Sequence, residues 1–391
     1  MSAIFRTAKL SEIAELNPTL GKKLPADELI SFVPMASLSA EKAKVETTQD
    51  RPYSEVSKGF TPFLNGDILF AKITPCFENG KIAQASLPRL HGFGSTEFHV
   101  IRSRSEISDA RYLHHYLRLD SIRDEGQRRM TGSGGQRRVP SSFLAELQVP
   151  LPALPEQHRI AAILDQAETL RTQRRAALAQ LDSLTQSLFL DMFGDPVANP
   201  KGLSIVKLGD IGTLDRGISK HRPRNAPELL GGNHPLIQTG EVANCDAYIR
   251  SFTSTYSDFG LRQSKLWPAG TLCITIAANI AKTGILTFEA CFPDSVVGFR
   301  ADDPATVQYV RVWLSFLQKM LEDSAPESAQ KNINLAILRG LNVPLPPLPL
   351  QQTFATRIQA IEALKATHRA ALAQLDVLFA SLQQQAFAGQ L

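Results

Sequence analysis

The sequence predicts an α+β protein in which two globular, mixed α/β domains are separated by two long antiparallel α-helices related by a pseudo-twofold repeat. Three observations predict this fold: a repeat at a fixed offset, two long segments without helix breakers, and strand patterns that recur in both halves. The chain has 391 residues, of which 43% are hydrophobic and 20% are charged, enough for two domains of ordinary size. We expect domains at 1–150 and 197–346, followed by helical segments at 151–196 and 347–391.

The internal repeat relates residues 147–195 to residues 341–389 at an offset of 194, without a gap. We find 23 identities in these 49 positions, including the run RAALAQLD at 175–182 and at 369–376. Such self-similarity indicates a duplicated structural unit. The predicted order is therefore domain, helix, domain, helix.

The duplicated segments have the pattern of long helices. Proline clusters precede both, and neither Pro nor Gly occurs from Glu156 to Phe193 or from Leu350 to Phe387. Apolar residues recur at steps of three and four, which is typical of a heptad seam. We expect the helices to pair antiparallel; the alternative is that each packs only on its own domain. The predicted helix-pair and partner-docking residues are Ile160, Ile163, Leu170, Leu181, Leu184, Leu188, Phe354, Ile361, Leu364, Leu375, Leu378 and Leu382.

The two globular blocks share a faint skeleton. NGDILFAKI (65–73) resembles AGTLCITIA (269–277), and both patterns predict a short buried strand after a glycine turn. A helical stretch follows in each block, at 109–119 and 306–320, and a polar loop with an amphipathic turn closes each, at 132–144 and 327–338. The sequence predicts related domains whose surfaces have diverged.

Two basic loops without acidic residues are the candidate nucleic-acid contacts: 126–138, GQRRMTGSGGQRR, and 216–225, RGISKHRPRN. Glycine lets backbone approach a phosphate, and arginine binds phosphate or guanine bidentately. The alternative for each loop is a solvated, flexible segment. The candidate DNA-binding residues are Lys72, Lys81, Arg128, Arg129, Gly134, Gln136, Arg137, Arg138, Arg216, Lys220, Arg222, Arg224, Lys282, Gln330, Lys331 and Asn332.

The motifs of catalysis and metal binding are missing from the sequence. It has no G-x-x-x-x-G-K-[ST] loop and no N-P-P-[FY] or D-P-P-[YW] signature of amino-methylating enzymes. The four cysteines are widely spaced, and the histidines lack partners at metal-ligand spacing. No apolar run is long enough for a membrane span, and the first residues lack a signal-peptide pattern. We therefore expect a cytoplasmic, non-catalytic protein without a metal or cofactor of its own.

The helical segment VPLPALPEQHRIAAILDQAETLRTQRRAALAQLDSLTQSLFLDMFGDP (149–196) resembles the central helical region of the specificity subunits of Type I restriction–modification enzymes. The second copy, 343–388, resembles their distal helical region, and the order of blocks agrees along essentially the whole chain. The recognition domains resemble the family only in their skeleton.

The resemblance implies a subunit that binds an asymmetric, bipartite target in double-stranded DNA, with one domain reading each half and the helices fixing the spacer. It also implies docking of two methyltransferase subunits that flip and methylate adenine with S-adenosylmethionine. Restriction–translocase subunits would add ATP- and Mg-dependent cleavage. These cofactors would belong to the partner subunits.

Two other functions remain open from the sequence. One is a coiled-coil scaffold whose two globular domains bind other proteins, which predicts little DNA affinity and no steep salt dependence. The other is a self-sufficient DNA enzyme, which the missing catalytic motifs disfavour.

Overall fold

The computed structural model describes residues 5–133, 135–277, 280–324 and 333–391, with backbone alone at 319–324. The chain divides into two compact units. Unit 1 consists of Met1–Ala176 and Ala370–Leu391, and unit 2 consists of Ala177–Arg369. Each unit therefore contains one globular block and one half of each long helix.

Unit 1 contains short strands and helices that precede the first long helix. Its strands are β1 (Thr7–Lys9), β2 (Ala14–Leu16), β3 (Leu29–Val33), β4 (Leu38–Ser39), β5 (Lys44–Val45), β6 (Gln49–Pro52), β7 (Thr61–Leu64), β8 (Ile68–Ala71), β9 (Ile82–Gln84), β10 (His91–Gly94), β11 (Phe98–Ser103) and β12 (Gln148–Pro150). Its helices are α1 (Leu10–Ile13), α2 (Tyr53–Val56), α3 (Ala110–Leu117), α4 (Asp120–Arg128), α5 (Ser141–Glu146) and the start of α6 (Leu154–Phe193).

Two main sheets form the globular block of unit 1. Their strand orders are β6-β3-β10-β7 and β2-β11-β8-β9-β5-β4, and β1 pairs with β12 at the base of α6. All four residues of β8 are buried, as a central strand between two packed layers requires. The core joins α3, α5 and the first half of α6 to the second sheet.

Unit 2 repeats this plan of short strands and helices. Its strands are β13 (Ser204–Lys207), β14 (Thr213–Arg216), β15 (Leu230–Leu236), β16 (Tyr248–Ile249), β17 (Ser254–Tyr256), β18 (Leu266–Trp267), β19 (Leu272–Thr275), β20 (Thr283–Leu286), β21 (Ala290–Cys291), β22 (Val296–Arg300) and β23 (Asn342–Leu345). Its helices are α7 (Thr239–Asn244), α8 (Asp258–Arg262), α9 (Pro304–Ser324), α10 (Leu335–Gly340) and the start of α11 (Leu348–Phe387).

The sheets of unit 2 confirm the shared skeleton. The order β14-β22-β19-β20-β16 matches β2-β11-β8-β9-β5 of unit 1, and β17-β15-β21-β18 matches β6-β3-β10-β7. The predicted strands at 65–73 and 269–277 are β8 and β19. Each follows a glycine with positive φ, Gly66 at 95° and Gly270 at 84°, a conformation that side chains with a Cβ rarely adopt.

The long helices each contain 40 residues, so each is roughly 60 Å long at 1.5 Å per residue. In unit 1, Arg171 contacts Asp376 and the earlier Arg159 contacts the later Leu391. Residue numbers in α11 thus fall as those in α6 rise. Unit 2 has the same relation. Asp182 of α6 contacts Lys365 of α11, and Phe193, which comes later in α6, contacts Phe354, which comes earlier in α11. The predicted antiparallel pairing is confirmed within each unit.

The position of the seam differs from the heptad prediction. Ile160, Phe354 and Ile361 are buried, while Ile163, Leu181, Leu188, Leu375 and Leu382 are half-buried. The seam prediction is wrong for four leucines, which are 41% to 53% exposed: Leu170, Leu184, Leu364 and Leu378. Their assignment to partner docking stays a prediction.

Polar side chains explain this shift of the seam. The buried face of α6 includes Gln157, Leu164 and Glu168, and that of α11 includes Glu362 and Lys365. Long polar side chains can bury their aliphatic parts when their polar ends are paired. The apolar pattern alone therefore predicts a seam along the neighbouring row of leucines. In the part of the chain that the structure describes, no helix combines the length with the apolarity that a bilayer crossing needs.

Candidate nucleic-acid interface and helix pair

An ionic cluster joins the helices in unit 1. Arg171 of α6 donates from Nε to Asp376 Oδ1 of α11 at 2.6 Å and from Nη1 to Glu168 at 3.2 Å. Arg118 donates to the same glutamate at 3.0 Å. The Arg171 guanidinium also lies 4.4 Å from the ring centre of Phe379. Since Arg171 and Glu168 are only 15% and 9% exposed, this cluster fixes the register of the pair.

Unit 2 builds the equivalent cluster at an offset of 194. Lys365 Nζ, in place of Arg171, lies 2.7 Å from Asp182 and 3.2 Å from Glu362. Outside the pair, Arg369 contacts Asp246 at 3.0 Å, and its counterpart Arg175 contacts Glu41 at 3.6 Å. The repeat therefore conserves a helix-to-helix contact and a helix-to-domain contact.

A buried glutamine holds the start of each long helix. Gln157 Nε2 donates to the Pro152 carbonyl at 2.8 Å, and its Oε1 accepts from the Asp109 amide at 2.9 Å. In unit 2, Gln351 Nε2 donates to the Pro346 carbonyl at 2.8 Å. These bonds fasten the helix to the strand that leads into it and satisfy polar groups at the helix end.

Aromatic contacts hold the last turn of the second helix at the same end of each pair. In unit 1, the ring centre of Phe387 lies 5.2 Å from that of Tyr112 and 5.1 Å from that of Tyr116. Its repeat counterpart, Phe193, lies 5.0 Å from Tyr309 in unit 2. Each long helix therefore ends against the helix of a globular block.

The exposed leucines form matched pairs on the outer face of the helices. Leu170 and Leu184 are 41% and 48% exposed, and their counterparts Leu364 and Leu378 are 53% and 49% exposed. Within each helix the two leucines are two heptads apart, with one leucine in each unit. Exposed apolar stripes of this kind are typical of surfaces that bind another protein.

The basic loop 126–138 of unit 1 contacts two acids, the adjacent Glu125 and the distant Glu97. Arg128 and Arg129 both contact Glu125, at 3.4 and 2.7 Å. Arg138 donates from Nε and Nη2 to the two oxygens of Glu97 at 2.9 and 2.8 Å. This hydrogen bond from Arg138 lowers the pKa of Glu97, so the carboxylate stays charged at neutral pH.

Arg137 has a different role from its neighbours. Its Nη2 donates to the carbonyls of Gln127 and Met130 at 3.1 and 3.2 Å. It therefore closes the loop on itself, and the exposed Arg128 and Arg129 are better placed to meet a ligand. Gln136 is exposed at the tip.

The basic loop 216–225 of unit 2 converges on one carboxylate. Arg224 Nη2 donates to Asp294 Oδ1 at 2.6 Å, and Arg222 Nη2 lies 3.9 Å from Oδ2. Arg216 Nε donates to the Asp294 main-chain carbonyl at 2.8 Å. Lys220 is exposed and has no ion pair within the described ranges. The guanidinium groups therefore lie together at one surface.

The short helix α8 supports this loop. Gln263 Oε1 accepts from the main-chain amides of Lys220 and His221 at 2.7 and 3.1 Å. Phe259 of α8 is 44% exposed and lies 6.1 Å, between ring centres, from His221. An exposed aromatic ring beside arginines is typical of surfaces on which bases stack.

The remaining predicted residues have other surroundings. Lys81 Nζ donates to the Met35 carbonyl at 3.1 Å, and Lys72 lies near Glu97. Lys282 is half-buried beside β20. Four predicted residues lie outside the described residues: Gly134, Gln330, Lys331 and Asn332. Where the structure describes the chain, no three His, Cys, Asp or Glu side chains are grouped to hold a metal ion.

Sequence reasoning missed four residues of these surfaces: Glu97, Gln263, Asp294 and Phe259. The first three are distant in sequence from the loops that they hold. Glu97 lies in the β10–β11 turn and Asp294 in the β21–β22 turn, which are equivalent in the two sheet orders. The alignment of the two skeletons could have identified these turns, but it gave no reason to connect them with the loops.

Comparison with known proteins identifies the domains. The sequence model of the family described as "Type I restriction modification DNA specificity domain" matches residues 5–180 and 200–376. The Type I restriction enzyme EcoAI specificity subunit of Escherichia coli is 40% identical over 179 residues, and the EcoEI specificity subunit is 37% identical over 179. Each match covers 45% of this chain but only 30% of the relative.

A longer match is more distant. The putative Type I restriction enzyme MjaX specificity subunit of Methanocaldococcus jannaschii is 22% identical over 309 residues, covering 76% of this chain and 72% of the relative. Among solved structures, the Type-I restriction-modification system S subunit from M. genitalium has a TM-score of 0.62 at 14% identity, covering 98% of this chain and 96% of that one.

A chain from a structure described as the basis of complex assembly and conformational transition of the type I R-M system has a TM-score of 0.56 at 20% identity. It covers 100% of this chain and 99% of that one. These structural likenesses agree with the fold. The family model matches both globular blocks and most of both helices, so the chain belongs to the Type I restriction modification DNA specificity family and carries the family's domain twice.

Proposed function

We propose that this chain is the DNA-recognition subunit of a Type I restriction–modification complex and reads a bipartite, asymmetric target. The observation that carries the proposal is the recurrence, in two domains of one family, of a basic loop fastened to an equivalent turn by a carboxylate. The loops differ in sequence on a shared skeleton. Each domain would therefore read a different half-target.

The helix pair would set the distance between the half-targets. Equivalent ion pairs, Arg171–Asp376 and Lys365–Asp182, fix the register of the helices within each unit. A helix of fixed length and register is a rigid spacer. We propose that its length determines the number of base pairs between the two halves.

The exposed leucines would bind the partner subunits. Leu170 and Leu184 repeat as Leu364 and Leu378, which supports the docking of two copies of one partner. We propose two methyltransferase subunits in these places and restriction–translocase subunits in the wider complex. S-adenosylmethionine, ATP and Mg would bind to those partners, and this chain would act without catalysis in the cytoplasm.

A test begins with co-expression of the chain and an adenine methyltransferase encoded beside it. We expect the two to co-purify, and we expect methylation sequencing of the host DNA to report one split adenine motif. The matched variant carries Leu170→Asp and Leu184→Asp in α6 and should lose one methyltransferase subunit and methylation together. Absence of any split motif with an intact, co-purified complex would overturn the proposal.

The scaffold alternative makes an opposite prediction. A protein-binding scaffold would bind duplex DNA weakly and with little dependence on salt. A DNA reader that contacts several phosphates loses affinity steeply as salt rises. Titration of a fluorescent duplex at several salt concentrations separates the two functions.

A further inference from the structure

We propose that Asp294 is a positioning residue that sets the sequence selectivity of unit 2, by holding the arginines of loop 216–225 while reducing their general attraction for phosphate. This inference rests on the proposed function, because it requires the loop to contact DNA. Asp294 is 36% exposed and lies in the turn between β21 and β22.

The geometry places three arginines on this one residue. The carboxylate contacts Arg224 and Arg222, and the main-chain carbonyl accepts from Arg216. Arg222 has further fixed contacts, donating from Nη1 to the Ser219 and His221 carbonyls at 2.7 and 2.8 Å. The guanidinium groups are therefore held before any ligand arrives, although they are half or more exposed.

The backbone shows that the loop is seated on this turn. A Cβ added at Gly217 would lie 2.2 Å from the Phe292 carbonyl oxygen and 2.4 Å from that of Pro293. The Gly217 amide donates to the Val296 carbonyl at 2.9 Å. The loop can lie this close only because residue 217 has no side chain. Asp294 is thus part of the support on which the loop rests.

Unit 1 has an independent counterpart of this arrangement. Glu97 occupies the equivalent turn between β10 and β11 and binds Arg138 through both oxygens. The arginine comes from a different loop, yet the carboxylate comes from the same place in the sheet. Recurrence on a diverged surface favours a shared purpose over a chance surface ion pair.

A carboxylate at this position has two opposite effects on DNA binding. It repels phosphate and offsets part of the loop's positive charge, which lowers non-specific affinity. It also fixes arginines in one geometry, which reduces the side-chain entropy lost when they bind base edges. Both effects raise the ratio of specific to non-specific affinity.

The test compares Asp294→Asn with Asp258→Asn in the full complex with its methyltransferase. Asp258 of α8 lies 2.9 Å from His234 and supplies the same charge change in the same unit, with no arginine contact among the described residues. The probes are a duplex selected by the wild-type complex from a random library and a scrambled duplex of equal length and composition. Affinities are measured at several salt concentrations.

We expect D294N to bind the scrambled duplex more tightly, with a salt slope steeper by up to about 0.9, the effect of one more phosphate contact. Its affinity for the selected duplex should fall about tenfold, the effect of losing one bidentate base contact. Asp294→Glu should keep most of the wild-type ratio, because it keeps the charge.

Other outcomes separate the hypotheses. If D294N and D258N have the same ratio of affinities, or if D294N loses affinity for both duplexes equally, this inference is wrong and the proposed function stands. If the wild-type complex does not distinguish any selected duplex from the scrambled one, the proposed function fails and the inference fails with it.

Discussion

Arg171 of unit 1 and Lys365 of unit 2 occupy the same position of the repeat, and each binds an aspartate, Asp376 or Asp182, that is also equivalent. Their surroundings differ. Glu168 beside Arg171 accepts from a second cation, Arg118, at 3.0 Å. Its counterpart Glu362 is 4% exposed and has an oxygen, Oε2, without a hydrogen-bond partner among the described residues.

This comparison shows which parts of the molecule are constrained by the repeat. The contacts between the helices are retained in type and register. The residues that reach the helices from the globular blocks have changed, as have the basic loops. A protein that presents two different recognition surfaces on one repeated scaffold requires constant helix contacts and variable loops.

The largest expected effect separates the two readers. Changing Arg222 and Arg224 to Ala should weaken binding to one half-target by about 100-fold, since each bidentate base contact contributes about 1–3 kcal/mol. Changing Arg128 and Arg129 to Ala should weaken binding to the other half alone. The affinity of each variant is measured for duplexes in which one half-target or the other is scrambled. Equal losses of affinity for both half-targets would show that the loops contribute only a general attraction for phosphate.

A smaller effect distinguishes the ionic clusters. Lys365→Met should lower the free energy of unfolding by about 3 kcal/mol. It removes the cation that is hydrogen-bonded to the buried Glu362 and leaves this carboxylate only the through-space attraction of Arg311. Arg171→Met should cost about 1 kcal/mol, because Glu168 keeps Arg118. Unfolding in urea, monitored by hydrogen exchange of peptides from each unit, measures both losses of stability. Lys365→Arg is the matched control, and losses of equal size would contradict this account.

Acid should affect unit 1 more than unit 2. Burial lowers the pKa of His99 and His114 below the usual 6.5. Both are therefore neutral when folded, and the unfolded chain takes up their protons first as pH falls below about 6.5. The contribution of each histidine to the free energy of unfolding is fully present above that pH. It falls by up to about 1.4 kcal/mol for each pH unit below it. Hydrogen exchange at pH 7.5 and 5.5 tests this, with His99→Gln as control; equal acid losses in both units would refute it.

The smallest effect concerns the leucine pairs. Leu170→Asp with Leu184→Asp, or the equivalent change at Leu364 and Leu378, should alter the unfolding free energy by less than about 0.5 kcal/mol, because exposed positions contribute little. Each pair should remove one partner subunit. Mass measurement of the purified complex counts the partners. A loss of both partners from one pair of changes would contradict independent docking.

The regular elements of the fold could be predicted from the sequence. The strands after Gly66 and Gly270 and both long helices follow from turn residues, apolar runs and the absence of helix breakers. The seam could not be located in the same way, because it includes Gln157, Glu168 and Lys365, whose polar ends are paired only in three dimensions.

The sites were predicted in part for a similar reason. The two loops are basic and exposed, as expected, but the acids that hold them, Glu97 and Asp294, come from distant turns. Local sequence shows the charge of a loop. It does not show which carboxylate folds against it, because that depends on how the strands are ordered in the sheet.

The most direct test of the account lengthens the helix pair. Four helix-forming residues inserted after Gln173 and after its repeat counterpart Thr367, both exposed, would add about 6 Å to each helix. At about 3.4 Å per base pair, we expect methylation sequencing to report the same two half-targets with a spacer longer by about two base pairs. Methylation with an unchanged spacer would contradict the central claim that these helices set the distance between the readers.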